Sequence, residues 1–436
     1  MKSQKIGLLG HFGNMNMGDD AILQAIVENI RRYCPEAAIY GFSSVPVDTQ
    51  KRHDILVLPL HRTSTRRATR KSSEARESSG KGPFKVAVSG VKSLLRKNPI
   101  TNFVIKALSK SNIALSSLAE ESKFIFDCYK ACKTLDVLMI SGGGQLDDSW
   151  GGPWDTPYTL FKYAVLAKIA KTRLFFISQG AGPINLRLSK FFIKWALTLA
   201  DFRSYRDRDS KNLIESIGVK KESHVFPDLA FSLNIKKNHS REHSSPIVGI
   251  SPMVYCDPRF WPEKNQVVNS AYKQKVSELV LWFLKNGYTV SLFASQLKMD
   301  PVGIDDVKKE LKKDECYYKF CDQIIEPEVQ TVSDLIAAIS QTQFIITSRL
   351  HGAILAYLSN KPVLALSYHE KIEAMMSEMG QSDLCFNIED FKVEEVKAKI
   401  SWLESNSMAV QDQIRKQVVA HQIALQAQYR LILTGS

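Results

Sequence analysis

Ile6-Gly7-Leu8-Leu9-Gly10 runs directly into His11-Phe12-Gly13-Asn14-Met15-Asn16-Met17-Gly18-Asp19-Asp20-Ala21, after which Ile22, Ala25, Ile26 and Ile30 recur at helical spacing. An unbroken short apolar run is the mark of a strand buried on both faces, and the spacing of three and four residues that follows is one face of a helix. A strand covered on both faces needs helices above and below it, which is the situation of a parallel sheet.

The same unit repeats downstream. Residues 38–42 and 55–60 read as strands, and after a basic interruption 137–141, 174–178 and 202–206 continue the series. A polar stretch, 234–245, breaks it. Strands at 247–251, 288–293, 344–347 and 362–367 resume it, with helices expected around 272–285, 332–340 and 353–359. A chain of 436 residues exceeds one ordinary core. The expected fold class is therefore α/β: a doubly wound domain over 1–235, a second over 246–405, and a C-terminal helix over 406–436. Sheets of this kind hold ligands at the carboxyl ends of their strands, so chemistry-bearing motifs should follow strands.

The net charge of +13 is concentrated. Between Arg62 and Lys110 thirteen Lys and Arg stand against Glu74 and Glu77 alone, a local excess of +11. This segment reads as an insertion, with a Ser/Arg/Lys-rich first half and a second half that mixes lysines with Val86, Leu94, Leu95 and Val104. It is a candidate for contact with an anionic membrane surface. Aromatic residues for base stacking are scarce there, which argues against nucleic acid. Seven cysteines, an odd number without CxxC or zinc spacing, imply thiols and no structural metal. No run of eighteen apolar residues exists, and the first residues lack a leader's apolar core, so a cytoplasmic protein is expected, with peripheral attachment to the plasma membrane's inner face as an extension.

Four glycine- or cation-bearing turns follow strands. The first, Gly10 to Ala21, offers backbone N–H groups at a helix start, but its spacing is not that of a dinucleotide fingerprint. The second is Ser141-Gly142-Gly143-Gly144-Gln145-Leu146-Asp147-Asp148, with Trp150, Trp154 and Tyr158 beyond it as candidates for stacking on a sugar; Gln179-Gly180-Ala181-Gly182-Pro183 lies close by. The third is Tyr205-Arg206-Asp207-Arg208-Asp209-Ser210, where an arginine at a strand's end is placed to grip a carboxylate or phosphate. The fourth, Thr347-Ser348-Arg349-Leu350-His351-Gly352-Ala353, sets a cation and an imidazole beside a helix N-terminus, an anion site with a proton donor attached.

In their order these motifs resemble the polysaccharide pyruvyltransferase family, through Asn16-x-Gly18-Asp19, Gly142-Gly143-Gly144 with Asp147, Gln179-Gly180-x-Gly182-Pro183, Arg206-Asp207-x-x-Ser210, Pro227-Asp228, Arg349-Leu350-His351-Gly352, and Pro362 leading to Ser367-Tyr368 and Lys371. The resemblance implies two Rossmann-like domains facing a cleft, as in GT-B glycosyltransferases. It also implies transfer of pyruvate from phosphoenolpyruvate, as co-substrate and without a resident cofactor, to a sugar of a surface polysaccharide or its lipid-linked precursor. Arg206, Arg349, Leu350 and Gly352 would hold the donor, and His11, Asn16, Gly143, Gly144, Asp147 and Gln179 the acceptor. His351 would be the general acid, kept charged by the donor phosphate. Asp19, Asp147 or His11 would take a proton from the attacking hydroxyl. The rival reading is a GT-B glycosyltransferase using a nucleotide sugar, with Glu370 as the nearest acid for a ribose.

Overall fold

A computed structural model describes residues 4–62, 120–149, 151–235, 245–261 and 263–435. Trp150, most of the polar stretch 234–245, and the basic segment beyond Arg62 lie outside the described residues. The first sheet contains β1 (Lys5–Leu9), β2 (Ala38–Ser43), β3 (Leu56–Pro59), β4 (Val137–Ile140), β5 (Gly143–Leu146), β6 (Arg173–Ala181), β7 (Phe202–Tyr205) and β8 (His224–Val225). Its order is β3-β2-β1-β4-β6-β7-β8, with β5 paired to the side of β6, and every pairing is parallel.

The second sheet runs β11-β10-β9-β12-β13-β14 and is likewise parallel. Its strands are β9 (Ile247–Ser251), β10 (Thr289–Leu292), β11 (Ile324–Ile325), β12 (Phe344–Thr347), β13 (Val363–Ser367) and β14 (Cys385–Asn387). Counted from β9, the order is 3-2-1-4-5-6, so the chain reverses direction between β9 and β12, and there the crevice for a ligand opens. In the first sheet the reversal falls between β1 and β4. Both junctions carry motif loops. The strands are buried on both faces, as their unalternating Val, Ile, Leu and Phe content requires: β4, β9, β12 and β13 expose no residue.

The two domains face each other with carboxyl ends inward and are joined by direct contacts. The Met17 N–H donates to the Ser295 carbonyl at 3.0 Å, and the Leu297 N–H to the Met15 carbonyl at 2.9 Å. The C-terminal helix is one unbroken element, Val393–Leu433, and not a separate piece from 406. No glycine or proline interrupts it, and its buried residues fall on one helical face, mostly at steps of three, four and seven residues from Val396 through Ile432. It begins against the second domain, where Lys397 reaches Glu278 at 3.4 Å, and ends on the first, where Tyr429 stacks on Tyr33 and Gln428 accepts from the Ser204 hydroxyl at 2.5 Å.

Candidate active site

Arg206 follows β7 directly, with its backbone N–H donating to the Gln179 carbonyl at 3.0 Å. Asp207 next to it caps the following helix by accepting from the Ser210 N–H at 2.6 Å, and the Arg206 Nε reaches the same carboxylate at 3.2 Å. A side chain at Gly180 would collide with the guanidinium, so the bare backbone there gives Arg206 its place.

Asp228 opens the short 3₁₀ turn Leu229–Ser232, its Oδ1 accepting from the Ala230 N–H at 3.0 Å. Its other oxygen, Oδ2, is buried without a hydrogen-bond partner among the described residues. Two groups flank it: Arg206 Nη1 at 3.7 Å from the first domain and His351 Nε2 at 3.7 Å from the second. His351 Nε2 is itself buried and unbonded. Burial alone would raise the Asp228 carboxyl, but His351 and Arg206 outweigh it and hold the pKa below the usual carboxylate value. On the far side of the imidazole, Gly18 packs so closely that any Cβ there would strike the ring.

A small open pocket lies beside this cluster, lined by Arg206, Asp207, Asp228, Leu350, Lys371 and Glu378 among others. Lys371 and Glu378 belong to the helix Glu370–Glu378, which follows β13. The Glu378 side chain is open to solvent at the rim, yet desolvation of its carboxyl at the pocket wall and repulsion from Asp207 push its pKa up to about 7. The shift thus reports that carboxyl's local position and not burial of the residue. His369, which caps the same helix, is pushed the other way by desolvation, Lys371 and Arg206, down to about 4, and is neutral at pH 7.

The candidate acceptor side faces the same cluster. Burial raises the pKa of Asp19, opposed by the neighbouring charges of His11 and His351. Burial raises Asp147 in the same way, opposed by His11 and Lys371. His11 Nε2 lies 3.2 Å from the Thr156 hydroxyl. Asp19, Asp147 and His11 therefore form one electrostatic group with His351 and Lys371 across the domain boundary. Among the described residues, no three His, Cys, Asp or Glu side chains gather as metal ligands do.

Several of the expected site residues have partners or settings that the sequence did not reveal. Arg349 Nη2 pairs at 2.5 Å with Asp300, a fully buried carboxylate that also accepts from the Ser295 and Gln296 N–H groups, whereas Arg206 stands beside Asp207 and Asp228. The Gln179 side chain is fully buried and donates to the Ile140 and Ser141 carbonyls at 2.9 and 2.6 Å, so it braces strands. Asn16 uses its side-chain oxygen to cap the first helix through the Gly18 N–H. Gly143 and Gly144 are not bare loop but part of β5, with Gly143 buried at φ 100° opposite Gln179 and only Gly144 exposed. Leu350 lines the pocket, and Gly352, in the first turn of the helix Leu350–Leu358, packs against Thr347.

Lys371, Asp228 and Glu378 are the functional candidates that sequence reasoning left without roles. Lys371 and Asp228 had a detectable signal, since each stands within a few residues of a strand's end. Glu378 had none, because a helical glutamate two turns from any motif looks like solvated surface.

The comparisons with known proteins agree with this architecture. The chain is 12% identical to a glycosyltransferase from Rickettsia africae, covering all of both chains at a TM-score of 0.53. With a putative UDP-N-acetylglucosamine 2-epimerase from Listeria monocytogenes it shares 11% identity and a TM-score of 0.59, over 100% of this chain and 98% of that one. These likenesses show a GT-B-like fold and no more. The amylovoran biosynthesis protein AmsJ of Erwinia amylovora is 19% identical over 306 residues, covering 67% of this chain and 71% of the relative. The polysaccharide pyruvyl transferase family model matches residues 16–370, from the Asn16 cap through the Arg349–His351 turn to the start of the Lys371 helix, and the chain belongs to that family.

Proposed function

We propose that the chain transfers pyruvate from phosphoenolpyruvate to two hydroxyls of a saccharide, forming a cyclic ketal and releasing phosphate. The supporting observation is the meeting of Arg206, Asp228 and His351 at the domain boundary, with Lys371 lining the same pocket. A small, highly anionic donor needs fixed cations, and Arg206 and Lys371 supply them; Arg349 stays with Asp300 and fixes the turn that carries His351. The imidazole delivers a proton to the donor's methylene carbon, which makes the adjacent carbon electrophilic. One sugar hydroxyl attacks that carbon and gives its proton to a carboxylate on the acceptor side. Asp19 suits this step, since its raised pKa makes it a stronger base than a solvated aspartate. A second hydroxyl then displaces phosphate, which leaves with the remaining proton. Asp228 holds the imidazole between these partners. A homologue named for amylovoran biosynthesis supports an exopolysaccharide acceptor.

The test is phosphate release from phosphoenolpyruvate in the presence of candidate acceptors. His351→Ala should lower turnover by roughly 10²–10⁴-fold with thermal unfolding unchanged; wild-type turnover in that variant removes the assigned acid. Thermal shift separates the donors, because a ligand at 100 times its Kd adds about 2.7 kcal/mol. Stabilisation by nucleotide sugars and none by phosphoenolpyruvate would overturn the reading.

A further inference from the structure

The helix Arg187–Leu199 turns an apolar stripe outward. Ser189, Phe192, Ile193, Ala196 and Leu197 face the core, as an amphipathic helix demands, yet Leu188, Phe191 and Trp195 recur at helical spacing on the opposite side and are 37%, 48% and 45% exposed. The stripe continues beyond the helix. Phe191 contacts Trp195 at 6.3 Å between ring centroids and Phe161 at 6.1 Å, and Phe192 carries the contact on to Trp154, which is 66% exposed. Exposed aromatics gathered around one buried ring in this way mark a surface that meets another phase or partner.

The charges around the stripe identify the occupant. Arg187, Lys190 and Lys194 lie on the same helix, and neither this helix nor the neighbouring Thr156–Ala170 contains one acidic residue. Of the acids nearby, Asp155 is exposed beside Trp154, Asp201 is paired with Lys168, and the Asp148 carboxylate is buried against the Asn185 and Leu186 N–H groups, so the cations of the face outnumber its exposed carboxylates. A second copy of the chain seated on this face would bring lysines and arginines against their own kind. An anionic lipid surface takes both features: aromatic rings settle at the headgroup level, and the cations above them gain from the negative surface. We infer that the chain docks on anionic membranes through the Arg187–Leu199 face.

The position has a consequence for the substrate. Asp148, which fixes the start of this helix, follows Asp147 directly, and Trp154 stands two residues before Thr156, the partner of His11. The docking face and the acceptor side of the cleft thus share one loop. A saccharide carried on a lipid would reach the cleft from the surface the helix rests on. That consequence rests on the pyruvyl-transfer reading; the docking itself does not.

The experiment is co-sedimentation of the full chain with vesicles of phosphatidylcholine alone or with added phosphatidylglycerol. Binding is expected to the anionic vesicles only, and Phe191→Ser/Trp195→Ser should lower the bound fraction about tenfold at equal lipid. Lys190→Gln/Lys194→Gln should weaken binding and flatten its salt dependence. Brominated lipid should quench the fluorescence that distinguishes wild type from Trp195→Phe. Undiminished sedimentation of the serine variant, or unquenched Trp195 in bound protein, would overturn the docking face. So would a concentration-dependent dimer that the serine variant abolishes without any lipid binding. The thermal shift with phosphoenolpyruvate should be the same in the serine variant and wild type, so failure of the docking face and failure of the donor assignment are read separately.

Discussion

Arg349 and Glu378 look alike in the sequence, each a charged residue in a helix's neighbourhood, and the structure gives them opposite tasks. Arg349 neutralises Asp300, a carboxylate with no exposed surface. Removing the cation leaves that charge buried with only neutral donors, the Ser295 and Gln296 N–H groups and the Ser295 hydroxyl, so Arg349→Met should destabilise the fold by roughly 2–3 kcal/mol, below the full cost of breaking a buried pair because the arginine is partly exposed. Urea denaturation checks it, and a variant as stable as wild type but unable to bind donor would return Arg349 to the anion site. Glu378 acts on the ligand's charge. With a pKa pushed up to about 7 it is mostly protonated below that pH and carries a negative charge above it, beside Arg206. Affinity for inorganic phosphate or phosphoenolpyruvate should therefore fall as pH rises through 7, and Glu378→Gln should remove that fall. The sign for stability is the same: the folded state favours the protonated form, so Glu378 contributes nothing below its unfolded pKa and destabilises progressively as pH climbs from there through about 7. Titration calorimetry at pH 6 and pH 8 distinguishes the variant from wild type.

At the scale of elements, the strand–turn–helix units were legible because a strand buried on both faces cannot alternate. Phe344–Thr347 and Val332–Ser340 appear within the bounds the pattern implies. What escaped was short or locally atypical: β5 is half glycine and pairs only because β6 extends past its neighbours, while β8 and β11 have two residues each. The site was legible to the same depth. Residues at strand ends were found, but which side chain turns toward the cleft depends on partners distant in sequence, as with Asp300 for Arg349 and the β4 carbonyl for Gln179. Two glycines show how elements set the site. Gly18 in the first turn of the first helix lies against His351, and Gly180 in β6 lies under Arg206. Gly18→Ala should displace the imidazole and lower kcat by about 10²-fold, whereas Gly180→Ala should shift the guanidinium and act chiefly on the KM for donor. Steady-state kinetics on folded variants reads the split, and equal effects of both substitutions on both constants would mean that the glycines serve packing alone.

Across the whole molecule the site exists only while the two domains hold their relation, because Asp228 and Arg206 belong to one and His351 to the other. Several links maintain it, among them the Met15–Met17 segment against Ser295 and Leu297, the Arg52 guanidinium on the Gln330 carbonyl at 2.5 Å, apolar packing in a core shared by both domains, and the helix Val393–Leu433. The helix is the largest, since it buries apolar residues along its length in both domains. Its last turns carry Gln428, bonded to Ser178 and Ser204, and Tyr429, fully buried and near the Ser232 hydroxyl at 3.3 Å. Tyr429→Ala opens a cavity beneath the first domain and should cost about 3–4 kcal/mol. Its effect should not be spread evenly. The second domain keeps its own sheet and the helix from Val393 to about Val418, while the first loses its seat on the helix end. Wild type should therefore unfold in one transition, and Tyr429→Ala in two, with the first domain melting earlier. On the proposed reading phosphoenolpyruvate bridges Arg206 and His351, and its addition should draw the two transitions of the variant back together. Differential scanning calorimetry with and without donor tests this, and a variant that melts in one step at a lower temperature would show that the contacts between loops, and not the long helix, couple the domains.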